Sequence, residues 1–152
     1  MSVPFSPEDR PALALHHRIA PLTTATLARA LARLSPRNIR RILQLARLGA
    51  APATIDQALA ARQDIIAVSA RCAGEHCLQR SLATVLLCRT RGVWPTWRSG
   101  VRGEPFRAHA WIEVDGQPIG EPPSTALYHP IITIAHPLRV DRRCPGPSTG
   151  TG

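Results

Sequence analysis

The sequence predicts an α+β domain in which N-terminal helices precede a small antiparallel sheet packed on the last helix. Two observations carry this. Up to Gly92 apolar residues recur at helical spacing, and beyond it they alternate as strands do. Capping residues and glycines bound the helices of the first half, and "VDG" supplies a hairpin turn in the second. A length of 152 residues suits one hydrophobic core.

Residues 1–22 are broken by prolines and read as an irregular N-terminal segment. "TATLARALARL" is the first helix. In "SPRNIRRILQLARLG", Ser35 is the expected N-cap, Pro36 the first helical residue and Gly49 the stop. Ile39, Ile42, Leu43 and Leu45 form its apolar stripe, and Arg37, Arg40, Arg41 and Arg47 crowd the rest. Thr54 and Gln57 match a capping box that opens a third helix. That helix carries Ile55, Leu59, Ile65, Ile66 and Val68 towards Arg71, and Gly74 breaks it. The fourth helix, "CLQRSLATVLLCRTR", lines one face with Leu78, Leu82, Val85 and Leu86 and ends at Gly92. "VWPTWRSGV" then reads as a broken strand, "FRAHAWIEV" as a clearer one, "QPIGE" as a short partner and "LYHPIITI" as a last strand. The expected organisation is a single domain over 23–138, with a helical part (23–71) and a part carrying the chemistry (72–138). Residues 139–152 are expected to be a disordered tail.

No apolar run approaches the roughly eighteen residues needed to cross a membrane. The N-terminus places an acidic pair ahead of a short apolar stretch, unlike a signal peptide. A soluble, cytoplasmic protein is expected. Cys72, Cys77, Cys88 and Cys144 are too few for a disulfide framework, which leaves room for one activated thiol. The net charge of +9 rests on arginine alone, since no lysine is present. That absence excludes a P-loop lysine, a Schiff-base lysine and a Ser–Lys dyad. The arginines suit contact with phosphate or carboxylate, or they merely solvate a surface in place of lysine.

Cys77 falls in the first turn of the fourth helix. Unpaired N–H groups and the helix dipole there favour a thiolate and offer donors for an oxyanion. The competing reading is a small core residue on an amphipathic helix. In "FRAHAWIEV", His109 alternates with the small apolar residues, on the opposite face of the strand from Ala108 and Ala110. A three-residue loop centred on Asp115, with Gly116 at positive φ, places His109 opposite Glu121. A two-residue turn would place it opposite Pro122 instead. A carboxylate beside an imidazole fixes its tautomer and stabilises its charged form.

"CLQRSLA" followed by "AHAWIEVDG" resembles the transglutaminase-like leader peptidases of lasso-peptide biosynthesis, which belong to the papain superfamily. The resemblance covers about residues 55–135. It implies a transglutaminase-like cysteine-protease fold, with Cys77 as nucleophile and His109 as base. The family's third residue is usually aspartate; here Glu121 stands in its place, and Asp115 is the nearest other candidate. Arg80 and Trp111 are the candidate substrate-binding residues, although Arg80 could instead pair with a carboxylate and Trp111 could be a core or cleft-wall residue. The implied reaction removes a leader segment from a ribosomally made precursor peptide, with neither cofactor nor metal. A separate leader-recognition protein would present the precursor, and a lasso cyclase would close the freed core peptide. With an amine as acceptor, the same chemistry would make a transglutaminase-like acyl transferase.

Two rivals are weaker. Cys72, His76 and Cys77 form a compact group like half a zinc site, but no second ligand pair follows at usable spacing. The first two helices could be read as an arginine-rich helix-turn-helix that binds nucleic acid, yet their Ser-Pro turn lacks glycine and the Cys and His motifs would go unexplained. No partner is identified for His16, His17, His129 or His136, and Trp94 and Trp97 read as core or cleft wall.

Overall fold

The computed structural model describes residues 18–69 and 76–137. The expected disordered tail, Gly74, Arg71, Cys72, Cys144, His16 and His17 lie outside the described residues. Four helices are described: α1 (Ile19–Leu31), α2 (Pro36–Ala46), α3 (Ile55–Val68) and α4 (Cys77–Thr90).

Helix α1 begins at Ile19, so residues 19–22 are helical and not irregular as expected. Pro21 does not prevent this, because a first-turn residue needs no intrahelical N–H bond. Helix α2 starts with Pro36 after an extended Ser35, and Gly49 takes the left-handed conformation at φ 74° beyond its end. Only Ile39 and Leu43 of its expected stripe are buried, while Leu45 points to solvent. Arg89 on α4 caps the end of α2, donating its Nε to the Ala46 carbonyl at 2.6 Å. The capping box on α3 is formed: Gln57 N–H donates to Thr54 Oγ1 at 3.3 Å, and Thr54 N–H donates to Gln57 Oε1 at 3.0 Å. Its buried face is Ala58, Ala61, Arg62, Ile65 and Ile66, with Ile55 exposed at the rim.

Helix α4 is the centre of the molecule. Every residue from Arg80 to Cys88 is buried, because α1 and α3 cover it on one side and the sheet covers it on the other. The expected single apolar face understates this burial; a helix covered all round is a core helix. Beyond α4 the strands run in order as β2 (Val93–Trp94), β3 (Thr96–Arg102), β4 (Arg107–Val114), β5 (Gln117–Pro118) and β6 (His129–Ile134). A 3-10 helix, Pro123–Leu127, precedes β6, so the last strand starts later than "LYHPIITI" suggests. Strands β3 to β6 form an antiparallel sheet in the order β5-β4-β3-β6. Pro95 separates β2, which pairs in parallel with β1 (Ala51–Pro52), from the sheet. Trp97 locks sheet to helix by donating Nε1–H to Ser81 Oγ at 3.0 Å.

The hairpin turn departs from the expected three-residue loop. Asp115 and Gly116 both have positive φ, 54° and 79°, and Val114 pairs with Gln117. This is a two-residue turn of the type I′ kind, whose twist matches that of the flanking strands. Its register would carry His109 opposite Pro122. The strand ends before that pairing is reached, since only Ile119, which donates to the Ile112 carbonyl at 3.0 Å, continues the ladder past Pro118. Among the described residues no helix is long and apolar enough to cross a membrane.

Candidate active site

Cys77 is the first residue of α4, and the first intrahelical bond runs from Arg80 N–H to the His76 carbonyl at 3.0 Å. The N–H groups of Cys77, Leu78 and Gln79 therefore have no acceptor inside the helix. They surround the thiol with positive partial charge.

The short length of β5 leaves the other half of the site open. Residues of an antiparallel strand direct both backbone groups to one side, and successive residues alternate. The Ile112 carbonyl faces β5, so Ala110 faces the same side, at a level that β5 no longer covers. The Ala110 N–H is taken by the Cys77 sulfur instead. His109 hydrogen-bonds the same thiol. Its Nε2 lies 2.8 Å from Glu121 Oε2, which leaves Nδ1 as the nitrogen that faces sulfur.

Glu121 reaches His109 by a route that strand arithmetic does not give. Gly120 takes φ 63°, breaks the alternation after Ile119 and turns Glu121 back over the sheet edge. The carboxylate is buried, with 4 % of its side chain exposed, and its Oε1 lies 3.7 Å from both Arg62 Nη2 and Arg80 Nη2. Arg62 packs its guanidinium on Gly120, where an added Cβ would come within 2.9 Å of Arg62 Cδ, Nε and Cζ. Gly120→Ala therefore combines an unfavourable φ with displacement of Arg62. We expect it to destabilise the protein by about 1–3 kcal/mol, as read by thermal unfolding, and to slow any reaction at Cys77. A variant with wild-type melting temperature and rate would show that the turn tolerates a Cβ.

The electrostatics of the pair follow from these contacts. Burial of the thiol opposes ionisation. The His109 hydrogen bond, the Ala110 N–H, the His109 charge and the Arg80 charge outweigh it, and Cys77 ionises below its ordinary range. Burial likewise opposes charge on His109, but hydrogen bonds to Cys77 and Glu121 and the negative charge of both raise it to about 9. Each partner's charge stabilises the other's, so the contact favours the thiolate–imidazolium form of the pair over the neutral form. Burial pushes Cys88 up to about 12, so that thiol stays protonated and inert.

The reactive pair is lost as pH falls through the lowered Cys77 ionisation, and lost again as pH rises through about 9, where His109 gives up its proton. Iodoacetamide at neutral pH is expected to label Cys77 and leave Cys88 unmodified, as peptide mapping by mass spectrometry would read. The alkaline limb of kcat/KM is expected near pH 9. A limb near 6.5, the ordinary histidine value, would mean that the imidazolium is not held.

His109 is flanked by two aromatic rings. Trp111 lies 5.8 Å away and stacked, and Tyr128 lies 5.1 Å away and tilted. Trp111 is buried and donates its indole N–H to Glu113 Oε2 at 3.3 Å, so it forms the wall beside the histidine. Of the other sequence candidates, Arg80 is the ion-pair partner of Glu121, and Asp115 sits in the turn at the far end of β4 from His109. His76 is exposed at the start of α4, His129 is exposed on β6, and His136 bonds the Ala50 carbonyl at 2.7 Å. Sequence reasoning missed Arg62, Gly120 and Tyr128. Arg62 had a readable signal, because it occupies an apolar-stripe position with Ala58, Ala61 and Ile65 around it.

A family model described as the transglutaminase-like superfamily matches residues 22–133. Searches of curated proteins and of solved structures returned no match. The family match runs from α1 into β6 and takes in every element that positions Cys77, His109 and Glu121, so the chain belongs to the transglutaminase-like superfamily.

Proposed function

We propose that this protein is a cysteine peptidase that removes the leader segment from a ribosomally made lasso-peptide precursor. The observation that carries the peptidase reading is the contact series from Cys77 through His109 to Glu121 at the start of a buried helix. The lasso assignment rests on the resemblance of "CLQRSLA" and "AHAWIEVDG" to leader peptidases. In this reading the Cys77 thiolate attacks the scissile carbonyl carbon, and first-turn N–H groups of α4 hold the resulting oxyanion. His109 gives its proton to the leaving amine as the C–N bond breaks, which leaves a thioester on Cys77. Neutral His109 then takes a proton from water, whose oxygen attacks the thioester carbonyl. The acid product leaves and the thiolate–imidazolium pair returns.

Transfer of the same acyl group to an amine would make the protein an acyl transferase. Mass spectrometry of a candidate precursor, incubated with and without a leader-recognition partner, separates these outcomes. Cleavage at the leader junction with addition of water supports the peptidase, whereas a product joined to an amine supports the transferase. An untouched precursor in both incubations counts against leader removal.

A separate recognition protein fits the basic helical face. Residues 18–55 contain no acidic side chain, and Arg37, Arg40 and Arg41 are exposed on α2. Arg47, grouped with them in the sequence, instead donates Nη1 to the Ala135 carbonyl at 2.7 Å and serves the fold. Exposed ion pairs are worth only about 0.2–1 kcal/mol each, so one reversal is mild. Changing Arg37, Arg40 and Arg41 together to Glu is expected to weaken binding of partner or leader by about tenfold and to lessen its salt dependence. Wild-type affinity at low ionic strength would show that these arginines only solvate the surface.

A further inference from the structure

We infer that Arg102 and Arg107 form a carboxylate-binding subsite beside His109, which receives an acidic residue on the leaving-group side of the scissile bond. The inference rests on the peptidase reading of Cys77 and adds a substrate class to it. Arg102 on β3 and Arg107 on β4 are directly paired across the strands, and the next pair along on the same face is Gly100 with His109. Side chains of directly paired residues share one face, and so do those of residues two apart. The two arginines therefore lie on the His109 face, one pair beyond the histidine. Tyr128 joins Arg102 to it: the Arg102 guanidinium lies 5.4 Å from the Tyr128 ring centre, and that ring lies 5.1 Å from the imidazole.

Two like charges placed directly opposite each other oppose sheet pairing unless an anion lies between them. The other end of the same face shows the ordinary solution, where Arg98 meets Glu113 at 2.9 Å. Among the described residues no carboxylate pairs with Arg102 or Arg107, and Glu104 in the intervening turn is exposed. Arg102 Nε is buried without a hydrogen-bond partner. A buried guanidinium N–H without an acceptor is costly, and its geometry suits a carboxylate. The location sets the side of the substrate. His109 must stand next to the leaving nitrogen to protonate it, so the chain that follows the scissile bond runs over His109 towards the arginines. An acidic side chain in the first few residues after that bond would come within reach of the half-buried Arg102 and the exposed Arg107 opposite it.

Cleavage of a mixed synthetic peptide library, sequenced by mass spectrometry, tests this. The wild-type protein is expected to enrich Asp and Glu in the first few positions after the cleaved bond, about tenfold or more over Asn and Gln. In the Arg102→Gln, Arg107→Gln double variant that ratio falls towards one, while Arg102→Lys and Arg107→Lys keep part of it. A wild-type protein that cuts the library without this enrichment, or a double variant that keeps it, overturns the subsite. A second measurement needs no peptide substrate. The rates at which iodoacetate and iodoacetamide alkylate Cys77 compare an anionic with a neutral probe at the same sulfur. Their ratio is expected to fall about threefold in the double variant at low ionic strength. An unchanged ratio also overturns the subsite. A library left uncut by wild type, together with a ratio that falls, would mean that the peptidase reading fails while the anion site stands.

Discussion

Cys77→Ala is expected to reduce peptide cleavage by about 10,000-fold or more while leaving the thermal unfolding temperature near that of wild type. Two features combine in this result. The sulfur is the atom that attacks, and its removal takes away no large packing volume, because Cys77 is only partly buried at the helix start. His109→Ala is expected to cost nearly as much. Without the imidazolium the thiol loses its hydrogen bond and its strongest charge partner, and the leaving amine loses its proton source. The double variant is expected to be no worse than either single one, since members of one catalytic unit are not additive. Cys88→Ala is expected to retain cleavage, because its thiol is buried and held protonated. Cys72→Ala and Cys144→Ala are expected to retain it too. Full activity in Cys77→Ala, measured by mass spectrometry of the same substrate, would remove the peptidase reading altogether.

The helices were legible because their signals are local. Ser35-Pro36, the Thr54–Gln57 box and the glycines at 49 and 92 act within a turn of the residues they terminate. The depth of α4 was not legible. Whether a helix is covered on one side or all round depends on distant elements, here α1, α3 and β4, and not on its own pattern. The hairpin is more instructive. The pairing of His109 with Glu121 was expected from a three-residue loop, yet the turn has two residues and the ladder follows the other register. The contact forms because Gly120 at φ 63° abandons the strand and turns Glu121 back. A single glycine that could be either a loop residue or a strand breaker gives no sign of that from sequence. Arg62 could have been found, since an arginine within an apolar stripe implies a buried carboxylate to meet it.

Glu121→Gln is expected to give the second largest effect, and its signature separates orientation from stability. The carboxylate serves three cations at once: His109 at 2.8 Å and the buried Arg62 and Arg80 at 3.7 Å. An amide in its place can still accept the His109 N–H, so the ring keeps its direction and some turnover survives. We expect kcat/KM to fall about 10- to 100-fold. The charge is lost, however, and with it part of what holds His109 at about 9. The alkaline limb of the pH profile is therefore expected to move down towards 6.5. Two buried guanidinium groups also lose their carboxylate, a kind of loss that typically costs about 3–5 kcal/mol of stability. Adding Arg62→Met to Glu121→Gln removes one of the two buried cations that faced the carboxylate, so part of the stability is expected to return while the alkaline limb stays low. A purely structural role for Glu121 predicts the reverse, with rate and pH profile recovering as the fold does. If Glu121→Gln keeps the wild-type pH profile and Asp115→Asn is inactive, the orienting acid is Asp115 and the contact at Glu121 is structural.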